Sequence, residues 1–218
     1  LWILTLSLLL SSCSIPKPLI ERIKEEGQLI VITRNNPATY IQDKEKTRGL
    51  EYELVEQFAG ELGVQVKYVI PNSFDEILPA VVRGEDHFAA AGLTVTNNRE
   101  LAVRFTPEYQ TVTSQLVYKA GNQRPKNITD TIDGVLEVMA GSSHEEKLKG
   151  LATEHPDLNW TAQRAVESTE LLNLVYEGLI DYTIANSNEV ALSRRFHPEL
   201  QVAFELGEEM PVAWAFPH

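Results

Sequence analysis

The sequence predicts an α/β protein of two similarly built lobes, each a mainly parallel sheet flanked by helices. Three observations carry that prediction. Short apolar runs alternate with helical patterns from residue 28 onward, the signature of βαβ units. The stretches RGEDHFAAAG (83–92) and EGLIDYTIAN (177–186) look like one device used twice, a glycine stop followed by an apolar strand. With 218 residues, 43% of them hydrophobic, the chain can bury one large core or two small ones.

Residues 1–13, LWILTLSLLLSSC, begin with about ten apolar residues, too short a helix to span a bilayer of roughly 30 Å. They read as the h-region of a secretory signal that has lost its first residues. The four residues Leu10, Ser11, Ser12 and Cys13 resemble a bacterial lipobox, which predicts a lipidated Cys13 and accounts for a lone cysteine without a disulfide; the alternative is a cleaved signal peptide with an incidental cysteine. Residues 14–27 then form a tether. The run 28–33 (QLIVIT) is a buried strand. Residues 49–62 (GLEYELVEQFAGEL) are a helix with Leu50, Leu54, Phe58 and Leu62 on one face, and Gly63 stops it. Glu51 and Glu53 read as that helix's solvated side. A strand at 64–70 completes a βαβ unit. Ser73 and Glu76 form a capping-box pattern ahead of a helix ending at Gly84, and a strand follows at 87–93. Residues 28–117 make the first lobe. The second, 118–209, holds strands near 135–140, 160–166 and 181–185 and helices at 145–151 and 168–176. Residues 210–218 return to the first lobe, so the chain reads as truncated at both ends.

A net charge of −12 without an arginine-rich stripe argues against nucleic acid and favours a small solute or a protein partner. The chemistry concentrates at AGLTVTNNRELAVRFTPEY. Thr94 and Thr96 are two apart on an extended segment, so both hydroxyls face one side. Asn97 with Glu100 can cap the helix that follows and set Arg99 in its first turn. A guanidinium beside two hydroxyls and the free N–H groups of a helix start is a carboxylate clamp, with Gly92 on the approach. In open α/β sheets this corner is where ligands bind. An arginine there can equally be solvated or paired with Glu100 or Glu108. In the second lobe, Gly141, Ser142 and Ser143 form another strand-glycine-hydroxyl-helix corner that would face the first across a cleft. Ser142, Ser143 and His144 are adjacent in a helix cap and do not face one another as nucleophile and base. The five histidines lack metal spacing, one cysteine excludes a Cys-rich zinc site, and no cofactor is implied.

The ordered set GLEYEL (49–54), AGLTVTNNR (91–99), RFTPEY (104–109), AGSSHEEKL (140–148) and IDYTIANSNEVAL (180–192) resembles the family 3 extracellular solute-binding domain. Within it, the chain is most similar to the N-terminal, substrate-binding-like domain of membrane-bound lytic murein transglycosylase F proteins. The resemblance implies a two-lobed periplasmic-binding-protein-like fold of type II. It implies an amino-acid or peptide-like ligand, such as a muropeptide stem, and a regulatory role beside a catalytic domain that acts on peptidoglycan. The lipobox adds the expectation of a lipid anchor in the bacterial envelope, on the periplasmic side of the outer membrane. Carried over by residue, the carboxylate-binding arginine is Arg99, the strand-end threonines are Thr94 and Thr96, and the second-lobe donors are Ser142 and Ser143. The acid that receives an α-ammonium falls at Asn186, a neutral amide, which favours a ligand whose amine is acylated. Arg34, Asn35 and Tyr40 fall on the loop that lines the cleft, where Tyr40 would be either a lid aromatic or a packing residue. The family's catalytic Glu lies in a separate domain, and nothing in the 218 residues matches it. The alternative is a stand-alone amino-acid or peptide-binding lipoprotein serving an importer.

Overall fold

The structure, a computed structural model, describes residues 17–43 and 46–218. The lipobox expected at Cys13 lies outside the described residues. Two five-stranded sheets form the two lobes. In the first, Gln28–Ile32 is central and parallel to Gln65–Val69 and Phe88–Ala89; Ala215–Phe216 is antiparallel to both Phe88–Ala89 and Arg104–Phe105. In the second, Leu136–Met139 is parallel to Thr161–Gln163 and Tyr182–Asn186, and Ser114–Lys119 is antiparallel to both Tyr182–Asn186 and Leu200–Glu205. In each sheet four strands therefore point one way and one is reversed. The reversed strand is the one that has just crossed from the other lobe, so the repeated device extends to the topology.

Two chain crossings join the lobes. Gln110–Val112 pairs antiparallel with Met210–Val212, and these short strands form the hinge. The whole of Ser114–Lys119 pairs within the second sheet, which moves the boundary from 117/118 to the hinge just before residue 114. Residues 210–218 are two strands: Met210–Val212 in the hinge and Ala215–Phe216 in the first sheet. The segment read as a tether contains a helix, Leu19–Glu26, whose Ile23 is buried against the first lobe's core.

The helix Leu50–Leu62 forms where its pattern predicts, but rotated. Glu51, Val55 and Ala59, spaced at i, i+4 and i+8, are its buried line, while Leu50 is 43% exposed. Ahead of Ile77–Arg83, Phe74–Glu76 is a 3-10 turn without a side-chain cap, and Glu76 instead accepts from the Asn72 N–H (3.2 Å). Each lobe has a core of its own: Leu29, Val31, Val55 and Phe88 in the first, and Leu116, Leu136, Val138 and Leu148 in the second. A third cluster runs through both, with Phe74 and Ile77 from the first lobe packed in one group with Met139 and Leu171 from the second. Removing such side chains from water is worth about 1.5–3 kcal/mol each, so the shared cluster favours contact between the lobes.

Candidate ligand-binding cleft

The first-lobe corner follows Phe88–Ala89. Gly92 has φ 65°, and a Cβ there would sit 2.9 Å from Thr39 Cγ2 and 3.3 Å from Arg34 Nη2, so glycine lets a guanidinium lie against the backbone. The N-cap of helix Asn97–Glu100 is Thr96, not Asn97: Thr96 Oγ1 accepts from the Arg99 N–H (3.3 Å). This cap turns the Arg99 side chain inward. Its Nη1 donates to Thr94 O (2.9 Å) and Thr94 Oγ1 (3.1 Å), and its Nη2 crosses the cleft to Gly141 O (3.1 Å). The Arg99 guanidinium carbon lies 5.8 Å from the centre of the Phe74 ring, and that of Arg34 lies 5.2 Å from it.

Two second-lobe corners face it. Ser142 caps Ser143–Leu151 through a hydrogen bond from the Glu145 N–H to Ser142 Oγ (3.2 Å). Asn186 is the N-cap residue of Ser187–Arg194, and its N–H donates to Glu189 Oε2 (3.3 Å). His144 Nδ1 meets Ser114 Oγ at 3.1 Å, pointing away from Ser142 and Ser143 as a partner. Burial lowers its pKa to about 4, so it is neutral at physiological pH.

Arg34, Gly92, Thr94, Arg99, Ser142, Ser143 and Asn186 thus line one cavity, with Phe74, Met139, His144 and Glu189 completing it. Its volume is about 10 Å³, room for about one water. Outside it, a vestibule of about 400 Å³ shares Arg34 and Phe74 with the cavity, and Asn35, residues 70–73, Glu167 and its neighbours Ala165, Val166, Thr169 and Glu170 wall it. Thr96 stands at the rim, where its hydroxyl donates to Glu146 Oε2 (3.2 Å). Tyr40 does not reach the cleft. It is buried in an aromatic group with Tyr52 (5.9 Å between ring centres) and Tyr68 (4.8 Å), because the loop folds back onto helix Leu50–Leu62. A larger depression of about 590 Å³ on the second lobe, among Arg124, Asp130 and Asp181, takes in none of the predicted site residues.

The two arginines differ in charge balance. Arg34 is clamped by Glu167 (3.1 Å) and Glu189, both from the second lobe, whereas among the described residues the guanidinium of Arg99 donates to carbonyl and hydroxyl oxygens and to no carboxylate. Burial lowers the Arg99 pKa to about 10, partly offset by Glu146, and it stays charged at neutral pH. Two buried polar atoms at the cavity residues have no hydrogen-bond partner, Arg34 Nε and Asn186 Oδ1.

Glu51, read as solvated, is 1% exposed. Its carboxylate accepts from Tyr109 Oη (2.5 Å) and the Gly92 N–H (2.8 Å). Burial raises its pKa to about 7, against the pull of those two bonds and of Arg34. Glu189 also escaped the sequence reading, although Asn186 and Glu189 have the same capping-box spacing that was noted at Asn97 and Glu100. Glu167 and Phe74 carry no such signal. They reach the cleft only through the approach of the two lobes.

The profile of the bacterial extracellular solute-binding proteins, family 3, matches residues 29–198. The membrane-bound lytic murein transglycosylase F of Stutzerimonas stutzeri is 41% identical over 217 residues, which cover 98% of this chain and 45% of that protein. That of Alkalilimnicola ehrlichii is 40% identical over 203 residues, 93% of this chain and 41% of that protein. The chain therefore spans less than half the length of these relatives. Among solved structures, the arginine-bound form of truncated ArgBP from T. maritima superposes with a TM-score of 0.78 at 20% identity, covering 90% of this chain and 91% of that one. The cysteine-binding protein of Campylobacter jejuni gives 0.80 at 18% identity, covering 91% and 79%. These two likenesses show the fold, a type II periplasmic-binding arrangement. By the profile match over most of its length, the chain belongs to the bacterial extracellular solute-binding proteins, family 3.

Proposed function

We propose that the cleft senses a peptide or amino-acid-like ligand by its carboxylate, as the regulatory domain of a lipid-anchored peptidoglycan lytic transglycosylase. The observation that carries this reading is Arg99: a buried guanidinium with no carboxylate in contact among the described residues, at the meeting point of two lobes. A buried charge without a counter-charge is costly, and an anionic ligand is the natural remedy. The ligand's carboxylate takes the fork of Arg99 and the Thr94 hydroxyl on one lobe, with Thr96 and the Ser142–Ser143 corner closing on it from the rim and the other lobe. Ligand held by both lobes stabilises the closed form, and closure biases the attached catalytic domain, through which the protein meets peptidoglycan. The similarity to the transglycosylase F proteins supports that setting and, with the lipobox at Cys13, a place on the periplasmic side of the outer membrane.

Glu189 favours a second reading. It supplies, within the cavity, the negative charge that Asn186 lacks, so a free amino acid becomes as suitable as an acylated one, as a stand-alone importer receptor would require. Calorimetric titration with free amino acids and with N-acylated stem-peptide fragments separates the two ligands. The Arg99→Ala variant should lose binding of either. Affinity unchanged in that variant would sink the clamp.

A further inference from the structure

Arg34 lies in the cleft but is occupied by the protein itself. It comes from the first lobe, on the loop after Gln28–Ile32, and is 4% exposed. Its Nη1 donates to Glu167 Oε2 (3.1 Å) and meets Met139 Sδ (3.6 Å), and its Nη2 donates to Glu189 Oε1. The neighbouring Asn36 Nδ2 reinforces the same contact, reaching Glu167 Oε2 (3.2 Å), Ser168 Oγ (3.3 Å) and Glu189 Oε1 (3.2 Å). All of these acceptors belong to the second lobe. One first-lobe loop thus fills the acidic corner of the opposite lobe with a cation and an amide donor, and the space left beside it is about 10 Å³.

We infer that Arg34 is a latch that acts as a built-in ligand: it occupies the Glu167–Glu189 corner and holds the cleft shut until a ligand is admitted. The geometry distinguishes it from Arg99, which has no carboxylate in contact and waits for one. The latch is a weak one by construction. Burying one guanidinium with two carboxylates recovers little net energy, because desolvation offsets most of the attraction, so the latched form stays close in energy to the open form, which admits the ligand and then closes around it. Further contacts between the lobes at the rim, Thr96 and Asn98 with Glu146 and Arg164 with Asp75 (3.1 Å), are more exposed and screened by water. The apparent affinity of any ligand falls by the fraction of molecules that are open.

The inference rests on the cleft being the ligand site, but its test uses no ligand. Small-angle scattering should give a larger radius of gyration for Arg34→Gln than for the wild-type chain. Carbethoxylation of His144, read by mass spectrometry, should be about tenfold faster, as a one-decade shift of the closed-to-open ratio produces. Glu167→Gln, which removes one partner at the partly exposed end of the latch, should show a smaller shift in the same direction. It decides the matter if Arg34→Gln fails to fold by circular dichroism. A radius and His144 protection equal to wild type in both variants would overturn the latch, as would a wild-type protein already as open as Arg34→Gln. Failure of the Arg99 clamp in titration leaves these scattering and labelling results untouched, so the two ideas fall separately.

Discussion

At the scale of single residues, two arginines of the same lobe have opposite tasks. Arg99 is a buried cation without a contacting carboxylate, and a ligand carboxylate would make its charge-assisted hydrogen bonds there. Its replacement by Ala should cost about 2–3 kcal/mol of binding, roughly 30- to 150-fold in affinity, measured by calorimetry with whichever probe the wild type binds. Arg99→Lys keeps the charge but loses the planar fork, and should recover only part of that loss. Arg34 is neutralised by Glu167 and Glu189, so its removal should instead strengthen binding of the same probe. The opposite signs separate clamp from latch in one titration series.

At the scale of elements, the cleft is made of strand-to-helix corners, and the one at Gly141 brings its backbone against the opposite lobe. Gly141 has φ 71°, and a Cβ on it would lie 2.6 Å from Asp75 Cβ and 2.8 Å from Asp75 Cα across the cleft. Gly141→Ala should therefore do two things. The left-handed backbone should cost about 1–2 kcal/mol, a fall of a few degrees in Tm. The clash should also hold the lobes apart, raising the radius of gyration. Gly178 has φ 75° with nothing within 4 Å of its would-be Cβ, and serves as the control: Gly178→Ala should lower Tm similarly and leave the radius unchanged. Equal radii for both variants would argue against close approach at Gly141.

At the scale of the whole molecule, two buried groups set opposing pH dependences. Glu51 titrates near 7 in the folded chain against 4.5 for an ordinary glutamate, so its contribution is complete below 4.5 and lost as pH rises through 7. His144 titrates near 4 against 6.5, so its contribution is complete above 6.5 and lost as pH falls through 4. Each amounts to roughly 3 kcal/mol, from about 1.4 kcal/mol per pKa unit. Between about pH 4.5 and 6.5 the two slopes nearly cancel. Chemical denaturation across that range should show Glu51→Gln losing stability on acidification and His144→Gln gaining it, while wild type changes less than either. Parallel slopes in all three proteins would refute this assignment.

Local sequence patterns were enough for most of the elements, the repeated lobe device and the corners that border the cavity. Helix periodicity, glycine stops and N-caps act within a few residues, so the corners at Arg99, Ser142 and Asn186 were legible without a structure. The rotation of helix Leu50–Leu62 was not, because Leu50 and Glu51 differ by about 100° around the axis and only packing chooses between them. Choosing Glu51 gave the core a carboxylate that the Tyr109 hydroxyl and the Gly92 amide then satisfy. For Tyr40 the loop left lid and packing roles open, and contact with Tyr52 and Tyr68 makes it a packing residue. The pairing of charges is a property of the folded molecule alone. Arg34 meets Glu167 and Glu189 across separations of 133 and 155 residues. No local pattern can specify such a contact, which exists only when the two lobes close and water leaves the space between them.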